Sequence, residues 1–181
     1  SGAAGGVGVL VCQLAKLKGA KVIGIAGGPE KCAVLVNEVG TDAAIDYKNQ
    51  NIDEQIKIHA PDGIDIFFDN VGGEILDIAL DNIRDRARII ICGAISQYSH
   101  HDAVEGPSLY LRLAEKYARM EGFTVMHFEE HYERASKELL DLYNQKKLIV
   151  PFHIEEGVDN FPLALQKLFT GGNTGKLMVK I

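Results

Sequence analysis

Short apolar, β-branched runs alternate with stretches of helical periodicity along the first two thirds of the chain. Lys21-Val22-Ile23-Gly24-Ile25-Ala26, Asp42-Ala43-Ala44-Ile45-Asp46-Tyr47, Gly63 to Asn70 and Ala87 to Gly93 read as strands. Between them, Gly6 to Lys18, Pro29 to Gly40, Ile52 to Ala60 and Glu74 to about Ile83 carry apolar residues at helical spacing. Gly19, Gly40 and Pro61 stop three of these helices, and Pro29 opens one. Strands separated by helices, with no two strands adjacent in sequence, predict an α/β fold with a doubly wound parallel (Rossmann) sheet. Beyond Gly93 the pattern predicts a polar loop to Pro107, a helix from Ser108 to Tyr117 and a sixth strand from Met120 to Met126. A helix from Tyr132 to Lys147 follows. The segment from Val150 has a different grammar: an extended piece, an amphipathic helix around Phe161 and Leu165, a glycine turn, and a strand Lys176 to Ile181. We expect residues 1–149 to form one domain and residues 150–181 to belong to the sheet of a neighbouring one.

Right-handed crossovers place the C-terminal ends of parallel strands on one edge, where open α/β sheets bind ligands. That edge gathers Gly5, Gly27, Tyr47, Asn70 and Gly93. The stretch Ala3-Ala4-Gly5-Gly6-Val7-Gly8 runs directly into the first helix and matches the dinucleotide fingerprint with alanine in place of its first glycine. Glycine lets a ligand approach the backbone closely, and the helix N-terminus offers unpaired N–H groups and a positive dipole end to a phosphate. Such a turn normally follows a buried strand, whereas this chain opens in the turn; the sheet is expected to lack its first strand, as in a piece of a longer protein.

With 46% hydrophobic and 24% charged residues in 181, the composition is that of a globular domain. A net charge of −6 disfavours a nucleic-acid surface, and no apolar run is long enough to span a bilayer. Cys12, Cys32 and Cys92 lie apart in apolar stretches and read as buried thiols in a reducing, cytoplasmic setting.

An NAD site expects an acid at the end of the second strand. Here Gly27-Gly28 stands there, and Lys31 follows one turn into the helix, placed either to pair with a 2′-phosphate or to sit solvated. The same absence counts against an S-adenosylmethionine site. Asn70 suits ribose or carboxamide recognition, or else caps the helix that begins near Gly73. Tyr47 is either an adenosine contact or a core aromatic, and Asp65 and Asp69 read as edge or turn residues. His127-Phe128-Glu129-Glu130-His131 imitates an inverted zinc-peptidase motif but straddles a strand end and a loop; His100-His101-Asp102 reads as a solvated loop cluster.

The blocks Ala3-x-Gly5-Gly6-Val7-Gly8, Phe68-Asp69-Asn70-Val71-Gly72-Gly73, Ile91-Cys92-Gly93-Ala94-Ile95-Ser96 and Gly172-Asn173-x-Gly175-Lys176 occur in this order across the chain. Together they resemble the medium-chain dehydrogenase/reductase superfamily, and most closely its zinc-independent, NADP-dependent alkenal/one reductases, which include prostaglandin and curcumin reductases. The resemblance implies hydride transfer from NADPH to the carbon–carbon double bond of a small enone or enal. It implies that Gly5, Gly6 and Val7 lie along the pyrophosphate, Lys31 and Tyr47 at the 2′-phosphate, and Asn70, Cys92, Gly93, Ala94 and Ser96 by the ribose and nicotinamide. Phe123 and Val125 would line the nicotinamide pocket, Asn173 would reach the cofactor, and Tyr98 would face the substrate. Family members carry a catalytic domain before this region, so this stretch alone is expected to bind NADP(H) and reduce enones poorly. The Met120–Met126 strand is placed to pair across a twofold in a homodimer. The competing reading is a non-catalytic dinucleotide-binding module.

Overall fold

The computed structural model describes residues 1–98 and 103–181. His100, His101 and Asp102 lie outside the described residues. In chain order the elements are α1 (Gly6–Leu17), β1 (Ile23–Ala26), α2 (Pro29–Val34), β2 (Ala43–Asp46), α3 (Ile52–His59), β3 (Ile64–Asp69) and α4 (Gly73–Asp81). They continue as β4 (Ile83–Ile91), α5 (Arg112–Glu115), β5 (Arg119–Gly122), α6 (Tyr132–Asn144), β6 (Phe152–Glu156), α7 (Phe161–Thr170) and β7 (Lys176–Lys180).

The strands pair in parallel ladders. β3, β4 and β5 form one sheet in that order, with Phe68 beside Ile90 and Ile90 beside Glu121. β1 pairs with β2: Ala43 N donates to Val22 O and, four residues on along both strands, Tyr47 N donates to Ala26 O. β6 pairs with β7 in the third ladder. Among the described residues no strand joins β1 to β3, so the expected continuous sheet appears in sections.

The chain divides into two compact units. The first comprises Ser1–Gly2, Ile25–Gly28 and Ile45–Phe123. Its core is formed by Phe67, Ile75, Leu76, Ala79, Leu80, Ile83 and Ile89, all buried, which seat one face of α4 on the β3–β4 ladder. α3 starts where the Asn51 side chain accepts from Glu54 N at 3.2 Å, satisfying one orphan donor of the first turn.

The second unit comprises Ala3–Gly24, Pro29–Ala44 and Thr124–Ile181. Gly8, Val9, Cys12 and Gln13 form the buried stripe of α1. The buried Gln13 amide both donates to Ile149 O (2.9 Å) and accepts from Ile149 N (2.8 Å), which stitches α1 to the strand-like approach of β6. Leu35 is fully buried where α2 widens into a π-turn over Leu35–Val39, and Gly40, at φ 81°, closes it. The periodicity predicts one continuous helix there; the widening keeps Leu35 and Val39 both inside.

Two other elements are shorter than their pattern predicts. The helix expected over Ser108–Tyr117 is confined to Arg112–Glu115, because Asp77 takes the Ser108 hydroxyl (2.7 Å) and Leu109 N (3.1 Å), and Tyr117 adopts φ 49°. The strand expected over Met120–Met126 ends at Gly122. Thr124 and His127 form a reciprocal capping box that starts a 3₁₀ helix over Val125–His131, so the backbone leaves the ladder. The His127–His131 motif thus lies in 3₁₀ geometry, where its two imidazoles do not share the face that an α-helix would give them. Among the described residues, no group of three or more His, Cys, Asp or Glu side chains is placed to hold a metal ion.

Candidate cofactor site

In the first unit, the strand ends carry two buried carboxylates that shape the loops beyond them. Asp46 ends β2 and accepts from Gly28 N (2.7 Å), Lys48 N (3.0 Å) and the Asn49 amide (2.6 Å). These donors, the Asn49 amide foremost, hold its carboxyl below the ordinary aspartate range. The loop so fixed lays Tyr47 over Gly27: a Cβ on Gly27 would stand 2.8 Å from three atoms of the phenol. A Cβ there would push the ring aside, and Tyr47 keeps 40% of its surface exposed. Tyr47 is therefore not a buried core aromatic but lies at the surface, at a strand end.

Asp69 ends β3 and is fully buried. It accepts from the Ser1 hydroxyl (2.6 Å), from Val71 N (3.0 Å) and, through both oxygens, from Gly72 N (3.1 Å). Gly72 and Gly73 turn with φ 71° and 57°, a pair of conformations open to glycine. Asn70 does not cap α4, whose N-cap is Gly72. Its amide instead donates to Ser1 O (3.0 Å), and its N–H to the Ser1 hydroxyl (2.8 Å).

The loop after β4 hangs on the same block. Cys92 N and Gly93 N donate to Asp69 O, Ile95 N to Asn70 O, and Ser96 N and its hydroxyl to Val71 O. Burial, with the Asp69 charge as a lesser cause, pushes the Cys92 thiol above its usual range and keeps it protonated at neutral pH. Tyr98 folds back so that its hydroxyl accepts from Ala94 N (3.4 Å) and would meet a Cβ on Gly93 at 3.0 Å. Phe123 packs edge-to-face on Phe68, with ring centroids 6.2 Å apart. Asn70, Cys92, Gly93, Ala94, Ser96 and Tyr98 therefore form one connected surface at the strand ends of this unit.

In the second unit, Gly5 is the N-cap of α1 in extended conformation and supplies no side-chain cap; no acid occupies the first turn. No side chain caps this first turn, and a negative charge there is favoured by the dipole. The glycine turn is held from the C-terminal segment. Gly175 N donates to Ala4 O (2.7 Å), and Gly5 and Gly175 form a parallel bridge. Asn173, 8% exposed, donates to Gly175 O (2.9 Å). Lys31 donates to Gly171 O (2.7 Å), so it is a partly buried, engaged cation and not a solvated one. Gly6, Lys31, Asn173 and the Gly171–Gly175 loop belong together in this unit. Val125 is 62% exposed at the start of the 3₁₀ helix.

Asp46 and Asp69 were not singled out as site builders by the residue pattern. The signal was an acid closing an apolar strand just before Tyr47 or Asn70, where an aliphatic would otherwise stand.

Parallel strands joined by helices, with glycine-rich loops at the strand ends, define an α/β protein of the doubly wound class. The chain belongs to the medium-chain dehydrogenase/reductase superfamily: the family described as zinc-binding dehydrogenase matches residues 6–142. It is 40% identical over 180 residues to (+)-pulegone reductase of Mentha piperita, covering 99% of this chain and 52% of that protein. It is 41% identical to prostaglandin reductase 1 of Bos taurus, over 99% of this chain and 55% of that one. The structure of CurA from Vibrio vulnificus in complex with NADPH is similar with a TM-score of 0.91 at 38% identity, covering 98% of this chain and 54% of that one. The chain spans about half the length of the curated relatives it matches.

Proposed function

We propose that this chain is the NADP(H)-binding portion of a reductase that adds hydride to the carbon–carbon double bond of an α,β-unsaturated carbonyl. The observation that carries the reading is the N-terminus of α1, without a side-chain cap or an acid in its first turn and held by Gly175, in a chain 40% identical to a pulegone reductase and 41% identical to a prostaglandin reductase. When bound, NADPH would supply the hydride. The residues present suit it. N–H groups of Gly5, Gly6 and Val7 take the pyrophosphate, and Lys31 and Tyr47 the 2′-phosphate, which an acid in place of Gly27 would repel. Asn70 and the Cys92, Gly93, Ala94 and Ser96 loop take the ribose and nicotinamide side, with Phe123, Val125 and Asn173. Tyr98, folded on Gly93, faces the substrate.

The domain reading follows the same line. Residues 150–181 are assigned to the sheet of a neighbouring domain, and α7 with β7 supports this. Together they line an apolar groove of about 360 Å³ with Phe161, Leu165, Leu168, Met178 and Ile181, all substantially exposed. Among the described residues no helix is long and apolar enough to cross a membrane; a cytoplasmic location and a homodimer are part of the proposal. The test is NADPH oxidation by the full-length protein with a panel of enones and enals. Turnover with at least one supports the reductase, whereas tight NADPH binding with none supports the non-catalytic module.

A further inference from the structure

Lys31 is read above as the cation for the 2′-phosphate, yet its ammonium already donates to a backbone carbonyl, Gly171 O, at 2.7 Å. Gly171 is no ordinary acceptor. It is the left-handed residue that ends α7 (φ 65°, ψ 37°), and it opens the loop that carries Asn173. From there the contacts are continuous. Gly172 N donates to Lys167 O (2.8 Å), Asn173 donates to Gly175 O (2.9 Å), Gly175 N donates to Ala4 O (2.7 Å), and Gly175 bridges Gly5. Gly175 is packed against the start of β6, where an added Cβ would lie 2.0 Å from Pro151 O.

We propose that Lys31 is a positioning residue as well as a phosphate ligand: it is the strut that fixes the Gly171–Gly175 loop, and through that loop the glycine turn. The proposal rests on the NADP(H) reading for the identity of the ligand. The chemistry permits both roles at once. An ammonium has three N–H donors in a tetrahedral array. The bond to Gly171 O holds the long side chain in place before an anion arrives, which lowers the ordering cost of binding. Electrostatics add to this: the carbonyl at the C-terminal end of α7 lies at the negative end of its dipole, where a cation is favoured. The consequence is that Lys31 matters even to a dinucleotide that lacks the 2′-phosphate.

The test compares the wild-type full-length protein with Lys31→Met, which keeps the stem and removes all three donors. Three quantities are read: the Kd for NADPH, the Kd for NADH, and amide hydrogen exchange of residues 171–175 without cofactor. The expected result is a loss of NADPH affinity of about tenfold or more, a loss of NADH affinity of roughly threefold or more, and faster loop exchange. If NADPH weakens while NADH affinity and loop exchange stay at wild-type values, Lys31 serves the phosphate alone and the strut is overturned. Equal losses for both dinucleotides with faster exchange uphold the strut and remove the 2′-phosphate assignment instead. No change in any of the three overturns both.

Discussion

Gly175→Ala joins a large local energy to the proposed function. Gly175 sits at φ 71°, a region that costs an L side chain about 1–2 kcal/mol. Its Cβ would fall 2.0 Å from Pro151 O and 3.1 Å from Phe152 N, both backbone atoms. Pro151 O cannot yield easily, because it accepts from Lys176 N (2.9 Å) at the start of the β6–β7 ladder. Overpacking of that kind adds about 1–3 kcal/mol, so the substitution costs roughly 2–5 kcal/mol in all. A domain stable by about 5–15 kcal/mol loses a large share of its margin. Gly40→Ala is the internal control: it has φ 81° and ψ 29°, in the left-handed region, but open space around its Cβ, so only the conformational cost applies. Urea denaturation of both variants, followed by NADPH titration under conditions where each is folded, checks this. We expect Gly175→Ala to be the less stable by at least about 1 kcal/mol and to bind NADPH more weakly, since the Gly175–Ala4 bond steadies the glycine turn. Equal stability of the two variants would refute the steric argument, and an unchanged NADPH affinity would refute the link to the turn.

Asp69→Asn places an amide N–H against backbone donors that the carboxylate now accepts, leaving buried groups unpaired; a stability loss of about 1–3 kcal/mol is expected in denaturant titration. The pH dependence follows from Glu155, whose carboxyl is held below its usual range by Lys167 first and by His153 second. A depressed folded-state pKa gives stability that is fully present above the unfolded value of about 4.3 and is lost as pH falls through the folded value. Melting curves below about pH 4 should therefore fall less steeply in Glu155→Gln than in the wild type; parallel curves would remove Glu155 from the acid transition.

Much of the fold was legible because period and punctuation agreed. The α1 stripe, the Pro29 start, the Gly40 stop and the β-branched strands each had one consistent local reading. The misread elements were decided by distant partners. Asp77 takes the donors that Ser108 and Leu109 would have given a helix, and the capping box of Thr124 and His127 ends a run that is strand-like by composition. The site divided in the same way. Glycine positions and Lys31 were visible, because glycine and a cation announce themselves by type. Asp46 and Asp69 were not, since a buried acid bonded to backbone N–H groups looks like any turn residue until its partners are known. Lys31's bond to Gly171 spans 140 positions and has no local trace.

Whether this chain builds an NADP(H) site is decided by calorimetric titration of the full-length protein with NADPH, NADH and S-adenosylmethionine. Saturable binding of NADPH, weaker binding of NADH and none of S-adenosylmethionine are expected. Tighter binding of NADH than of NADPH, or no binding of either, would contradict the NADP(H) assignment.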